Sequence, residues 1–428
     1  MVVLIWTSLN IINFMKNFFA IALFLFSTTT ISAQSEKCHT TELRKQHIKE
    51  NPSILEKIRE IEAFTKKFTT EYNKLGINSR SVVTLPVVFH IVYSSASENI
   101  SEAQILSQMT VLNEDFRKLN SNFSSTPPAF QPSAADCELE FCLASLDPDG
   151  NESSGITRTS TTVSEIGNTN DWSSTAAGGK DAWDVTKYIN IWVCSIDGGN
   201  TLGFATLPGT AVPSESDGLV IDPLFVGTTG TVSAPNNLGR TVTHEMGHYF
   251  NLEHVWGENG GCGDDDFVTD TPNQDLESEG CPTFPLTDNC TTGGDGIMYC
   301  NYMDYVDDDC MTMFSKGQKV RMLAALNGPR SLLLTTNVCG ATSSIKNIEL
   351  NASISTFPNP AKDVLNITNS STTVLEISLY NITGNLVNTF TIEEKGSLNI
   401  AELSSGIYYL HYSDTQNGHG VKQIIISK

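Results

Sequence analysis

Positive charge is scarce in this chain: 26 Lys and Arg stand against 48 Asp and Glu in 428 residues, a formal net charge of −22. A surface that acidic repels phosphate backbones, which argues against a nucleic-acid partner. Most of these carboxylates read as solvated surface of the kind that keeps an exported protein soluble, and some are available to a hard cation such as calcium. Long apolar runs are missing too. The one candidate, residues 15–33 (MKNFFAIALFLFSTTTISA), has Lys16 ahead of an apolar core from Phe18 to Phe26 and ends in small residues. A bilayer-spanning helix needs about 20 apolar residues and this run has roughly half, so it reads as a secretory signal cleaved after Ala33, with Met15 as the candidate true start. No later stretch is long enough for a transmembrane anchor, and the mature protein reads as exported. The third absence is paired Cys-x-x-Cys spacing among the 10 cysteines, which weakens a structural-zinc reading and favours disulfides, permitted by export.

The length predicts two or three folded units. Residues 34–80 are charged, with Leu55, Ile58, Ile61 and Phe64 at helical spacing, and read as a helical pro-segment ending at Arg80-Ser81. SVVTLPVVFHIVY (81–93) is a buried-strand signature, and a helix follows at about 102–119 with Ile105, Met109, Leu112 and Phe116 on one face. ELEFCLASL (138–146) and YINIWVCSI (188–196) read as strands separated by a polar loop region at 150–180, and 202–209 and 217–227 continue the mixed pattern. SKGQ (315–318) is a capping box opening a helix that Gly328-Pro329 ends. An α/β (α+β) catalytic domain over 81–340, a linker at 341–354 and a small all-β sandwich at 355–428 complete the reading. Cys262, Cys281, Cys290 and Cys310 cluster in a Gly/Asp/Thr-rich stretch with little helix or strand pattern, where long loops need staples, so two disulfides are expected there.

Chemistry is concentrated in HEMGHYFNLEH, residues 244–254. His244 and His248, four apart on a helix, lie on one face and can reach one zinc at about 2.0–2.1 Å. Glu245 sits beside the first ligand, where a carboxylate can take a proton from an attacking water. His254 lies six residues past His248, on another face of any continued helix, so the chain must break and turn back between them. Sites of this kind use Gly at the break; here it is Asn251, the next most tolerant residue in a left-handed backbone. Glu258 is too close, and in too Gly-rich a loop, to serve as the downstream carboxylate ligand of a two-histidine site. Three His with an open fourth position is the better account.

This motif, together with LPVVFHIVY, YINIWV, LGFATLP, the DTP at 270–272, NYMDY (301–305) and FSKGQKVRM (314–322), resembles the pappalysin branch of the metzincin zinc peptidases over most of residues 81–340. The resemblance implies that Met303 forms the apolar turn beneath the zinc histidines. It implies that Tyr305 stabilises the oxyanion, that Cys262 pairs with Cys290 and that Cys281 pairs with Cys310. It implies that Asp309 lies at the base of the S1′ pocket and favours Arg or Lys after the scissile bond, and that structural calcium is held near Asp266, Thr269 and Thr271. It also implies that Cys38 is a zymogen switch filling the open zinc position, although His39 stands where Gly commonly follows. Residues 355–428 resemble the C-terminal sorting domain of the Bacteroidetes type IX secretion system, on FPNPAKDVLNI, LYNITGNLV, SSGIYYLHY and the terminal KQIIISK. The expectation is a zinc endopeptidase acting on protein and peptide substrates, exported through the periplasm by that machinery to the cell surface or medium. A non-catalytic adhesin on the same scaffold, and a zinc hydrolase of non-peptide substrates, are the rival readings.

Overall fold

The computed structural model describes residues 37–75, 82–169, 171–339, 353–370, 373–381, 386–414 and 419–428. The expected secretory signal, the Arg80-Ser81 junction and most of the 341–354 linker lie outside these residues. The first described elements are helices α1 (Thr40–Glu50) and α2 (Ile54–Leu75). Then come β1 (Val83–Tyr93), α3 (Glu102–Phe116), β2 (Leu139–Leu143), β3 (Ile156–Ser160), β4 (Ile189–Val193), β5 (Gly203–Ala205), β6 (Gly218–Ile221), α4 (Arg240–Tyr249) and α5 (Lys316–Asn327).

Strand β1 has eight consecutive buried residues because it is covered on both faces, as central strands of parallel sheets are. It pairs in parallel with β2 over its first half and β3 over its second on one side, and with β4 on the other. The sheet continues through β6, and β5 closes it as an antiparallel edge strand. Strand β3 falls inside what the sequence reads as loop; ITRTS is polar, and its pairing with β1 supplies what its burial does not.

Helix α3 is capped by the Ser101 side chain, which accepts from Gln104 N, and it buries Ile105, Met109, Leu112 and Phe116 as the periodicity predicts. All ten residues of α4 are buried beneath the sheet edge and α3, so a helix with six polar or charged residues sits inside the domain. Helix α5 opens with the full capping box of Ser315 and Gln318. The expected face of α2 holds at Ile61, with Ile58 and Phe64 half-buried, and fails at Leu55. Ile54, Ile61 and Phe68 are buried, whereas Leu55 is exposed, and Phe68 packs on Val320 and Ala324 of α5.

Cys262–Cys290 and Cys281–Cys310 staple the irregular 257–310 stretch, and a third disulfide, Cys142–Cys339, ties β2 to the end of the domain. Cys38, Cys137, Cys194 and Cys300 are free and buried. The C-terminal region is all antiparallel: β7 (Ile354–Phe357), β8 (Val364–Asn369), β9 (Leu375–Asn381), β10 (Leu386–Ile392), β11 (Lys395–Asn399), β12 (Gly406–Asp414) and β13 (His419–Ile426). Its sheets, β10-β9-β12-β13 and β11-β8-β7, share one core built from Leu365, Ile367, Ile377, Leu379, Leu410 and Ile424. Among the described residues no helix is long and apolar enough to cross a membrane.

Candidate active site

Helix α4 begins after Gly239, whose φ of 76° turns the chain into it. Its four-residue spacing brings His244 and His248 together, and the helix ends where Asn251 adopts φ 72°. That left-handed residue reverses the chain, so that His254 swings back. The carbonyl of Asn251 is held by Arg321 Nε at 2.6 Å, which fixes the reversal. The three imidazole Nε2 atoms then lie 3.1–3.3 Å apart.

That triangle is informative about protons. His244 Nδ1 lies 2.7 Å from the Tyr302 carbonyl and His248 Nδ1 lies 2.7 Å from the Leu252 carbonyl. Carbonyls only accept, so both Nδ1 atoms carry hydrogen and both Nε2 atoms present lone pairs. Burial and the neighbouring imidazoles push His248 down to about 3, and His244 also falls well below the ordinary range. Neutral imidazoles whose lone pairs converge on one point fit a divalent cation and little else. A triangle of this size has its centre about 1.8 Å from each nitrogen, close to the 2.0–2.1 Å of zinc–histidine bonds. Beneath it, Met303 is fully buried, and its Sδ leaves no room for a β-carbon at Gly247.

A family profile described as pregnancy-associated plasma protein-A, peptidase family M43, matches residues 174–327, and a secretion-system C-terminal sorting-domain profile matches 355–427. An extracellular metalloprotease of Arthroderma benhamiae is 30% identical, with 61% of this chain and 85% of that protein aligned. A relative of the same description in Coccidioides posadasii is 32% identical over 61% of this chain and 83% of its own length. Mature mirolysin of Tannerella forsythia, solved with a cleaved peptide, is 44% identical over 60% of this chain and 96% of that one, with a TM-score of 0.58. A promirolysin mutant is 39% identical over 70% of this chain and 97% of that one, with a TM-score of 0.63. The chain belongs to peptidase family M43. It is an extracellular metallopeptidase with a catalytic metal, exported by the type IX system of Bacteroidetes through its sorting domain.

In the M43 site the carboxyl of Glu245 is fully buried; Oε2 accepts from Thr40 Oγ1 at 3.1 Å and Oε1 has no partner among the described residues. Burial pushes this carboxyl up to about 8, opposed by hydrogen bonds from Cys38 and Thr40. The Cys38 Sγ joins the three histidine nitrogens, all four atoms lying within 4.8 Å of one another. The segment that carries it lies alongside edge strand β5, bridging Gly203 in parallel through His39 N to Gly203 O at 3.1 Å. Tyr305 lies against His244 and His254, ring centroids 5.6 and 5.1 Å away, and its hydroxyl donates to the Cys38 carbonyl at 3.3 Å.

Two groups of expected site residues are placed less simply. Asp309 is exposed. Asp308, one residue earlier, is 1% exposed and lines a small cavity with His244, Glu245, Thr241, Tyr305 and Met311. The short helix Asp308–Cys310 that follows Asp307 turns one carboxylate inward and the next outward. Three consecutive Asp residues carry no periodic signal that distinguishes them. The calcium candidates are only partly gathered: Thr271 Oγ1 donates to both Asp266 oxygens at 2.9 Å, while Thr269 is exposed. The sequence reading also left Glu258 without a role. It approaches His254, with Oε1 3.4 Å from Nδ1 and 3.3 Å from the backbone N. Its signal, a carboxylate four residues after the third histidine, is legible only once the loop is known to fold back.

Proposed function

We propose that this chain is a zymogen of a zinc endopeptidase, with His244, His248 and His254 holding the metal and Glu245 as general base. The observation that carries the reading is the triangle of three buried Nε2 atoms converging on one point, with the Glu245 carboxyl at its edge. Bound zinc supplies Lewis acidity, which brings the pKa of water within reach of a carboxylate base. Glu245 takes a proton from the water that attacks the scissile carbonyl and delivers it to the leaving amine nitrogen. Tyr305 donates its phenolic hydrogen to the developing oxyanion. Its present partner, the Cys38 carbonyl, supports that role, because a backbone carbonyl in the cleft already receives that hydrogen bond. The Met303 floor and the reversal at Asn251 keep the histidines in place.

Latency follows from the same contacts. Cys38 occupies the side of the histidine triangle where substrate must bind, Thr40 occupies Glu245, and Cys38 O occupies Tyr305. Each group the reaction needs is engaged by the N-terminal segment, and cleavage at Arg80-Ser81 would free all three. We assign the basic P1′ preference to Asp308, whose cavity also holds Lys37, a lysine that lies 3.7 Å from Asp307. A calcium ion beside Asp266 and Thr271 remains part of the proposal. Burial pushes the Asp266 carboxyl up to about 7, and a cation there would restore its ionised form.

The test is Glu245→Gln in the activated enzyme. Metal content stays at wild-type stoichiometry while casein cleavage falls by at least about a thousandfold, the scale of losing a general base together with its positioned water. Casein cleavage at the wild-type rate refutes the mechanism. The adhesin reading predicts damage at a ligand, Glu245 or Tyr305, and all of these are intact.

A further inference from the structure

Helix α1 brings Arg44 against two carboxylates beside the third histidine. Arg44 Nη1 lies 2.7 Å from Glu253 Oε1, and Nη2 lies 3.6 Å from Glu258 Oε2. All three side chains are largely buried, at 15%, 8% and 10% exposure. Thr41 Oγ1 donates to the same Glu258 oxygen, and the other Glu258 oxygen faces His254. Glu253 Oε2 is buried and takes no hydrogen bond from Arg44, and the Glu253 and Glu258 carboxyls lie against each other.

We propose that Glu253 and Glu258 form a second substrate subsite, specific for a guanidinium or ammonium side chain and filled in this chain by its own Arg44. The inference rests on the endopeptidase reading above. When the N-terminal segment leaves, two neighbouring carboxylates lose the cation between them, and a buried acid without a partner is costly. A substrate cation restores the pairing, and the planar guanidinium suits the two acceptors. The subsite is separate from the Asp308 cavity. Lys37 precedes Cys38 and points to Asp307 and the Asp308 cavity, whereas Arg44 follows Cys38 and reaches Glu253. Glu258 touches His254, so the subsite abuts the metal centre. An extended substrate, advancing about 3.3–3.6 Å per residue, reaches it two or three residues from the scissile bond.

The test uses enzyme matured from the full chain by limited trypsin digestion, and peptides with Arg fixed at P1′. Arg or its neutral isostere citrulline is placed in turn at every other position. The expected result is an Arg-over-citrulline ratio in kcat/KM of about tenfold or more at one position outside P1′, falling to about one in Glu253→Gln. Metal content equal to wild type in that variant shows that His254 is undisturbed. A wild-type ratio near one at every position outside P1′, or an unchanged ratio in the variant, overturns the subsite and leaves the peptidase reading standing. If wild-type cleavage survives chelation, the metallopeptidase mechanism itself falls, and the subsite with it. Should Glu253→Gln fail to fold, the wild-type ratio decides alone.

Discussion

Asn251 shows how one residue can carry a site without touching its chemistry. Its φ of 72° is required by the reversal that returns His254, and a β-carbon in that region costs about 1–2 kcal/mol unless the side chain bonds locally. Here the Asn251 Nδ2 donates to Glu62 of α2 at 3.0 Å, and Arg321 clamps its carbonyl. Asn251→Gly is therefore expected to hold stability within about 0.5 kcal/mol, and Asn251→Ala to lose about 1–2 kcal/mol. Chemical denaturation of the full chain checks both, and equal losses contradict the account. At the same scale, Asp308→Asn should erase the P1′ preference for Arg and Lys in a peptide library, while Asp309→Asn leaves it intact. The reverse result would reinstate the exposed carboxylate. The histidines, Glu245 and the break at Asn251 were legible because HExxH spacing maps directly onto helix geometry. Asp308 was not, because the direction each residue of an Asp triplet faces is set by a turn that no periodicity announces.

At the scale of elements, the sheet was legible where strands are apolar and illegible where they are not. Strand β1 declared itself by its β-branched run; β3 did not, since its polar residues are held by pairing. On α2 only Leu55 was misplaced, because Ile54 beside it is equally apolar and is the one the fold buries. One buried network between β1 and β4 gives a pH-dependent prediction. His90 is fully buried, with Nε2 2.9 Å from Asn190 Oδ1 and Nδ1 2.8 Å from Thr157 Oγ1, and burial lowers it to about 4. The folded state thus holds a neutral imidazole at a pH where the unfolded chain, near its ordinary 6.5, takes a proton. This stability is present in full above pH 6.5 and is lost as pH falls towards 4, by up to about 3 kcal/mol. The stability gap between wild type and His90→Gln should shrink between pH 7 and pH 4.5 in urea denaturation. A gap independent of pH would show that His90 is not held neutral. The third disulfide acts between distant elements: Cys142–Cys339 joins residues 197 apart in sequence, and its double Ser variant is expected to lose about 5 kcal/mol.

For the molecule as a whole, the N-terminal segment and the catalytic domain are joined at two places that serve one purpose. Cys38, Thr40 and Arg44 cover the metal cleft, and Glu62 grips Arg321 through contacts of 2.6 and 2.8 Å on the far side of the Asn251 reversal. Because Arg321 also holds that reversal, the segment binds the same residue that shapes the metal site. The peptidase stretch and the sorting domain after it were legible in changes of texture along the chain, with cysteine ceasing after residue 339 and alternation replacing helical period. The place of Cys38 beside the histidines was read from the resemblance, whereas the contacts of Thr40 with Glu245 and of Arg44 with Glu253 were not, because they join residues about two hundred positions apart. The central claim is that one cation held by His244, His248 and His254 is required for peptide hydrolysis. The most direct measurement strips the activated enzyme with a chelator, then adds zinc back while casein cleavage and bound metal are followed together. The account predicts that activity disappears with the metal and returns in proportion to it, reaching full rate at one zinc per catalytic site; full activity in demonstrably metal-free enzyme would contradict it.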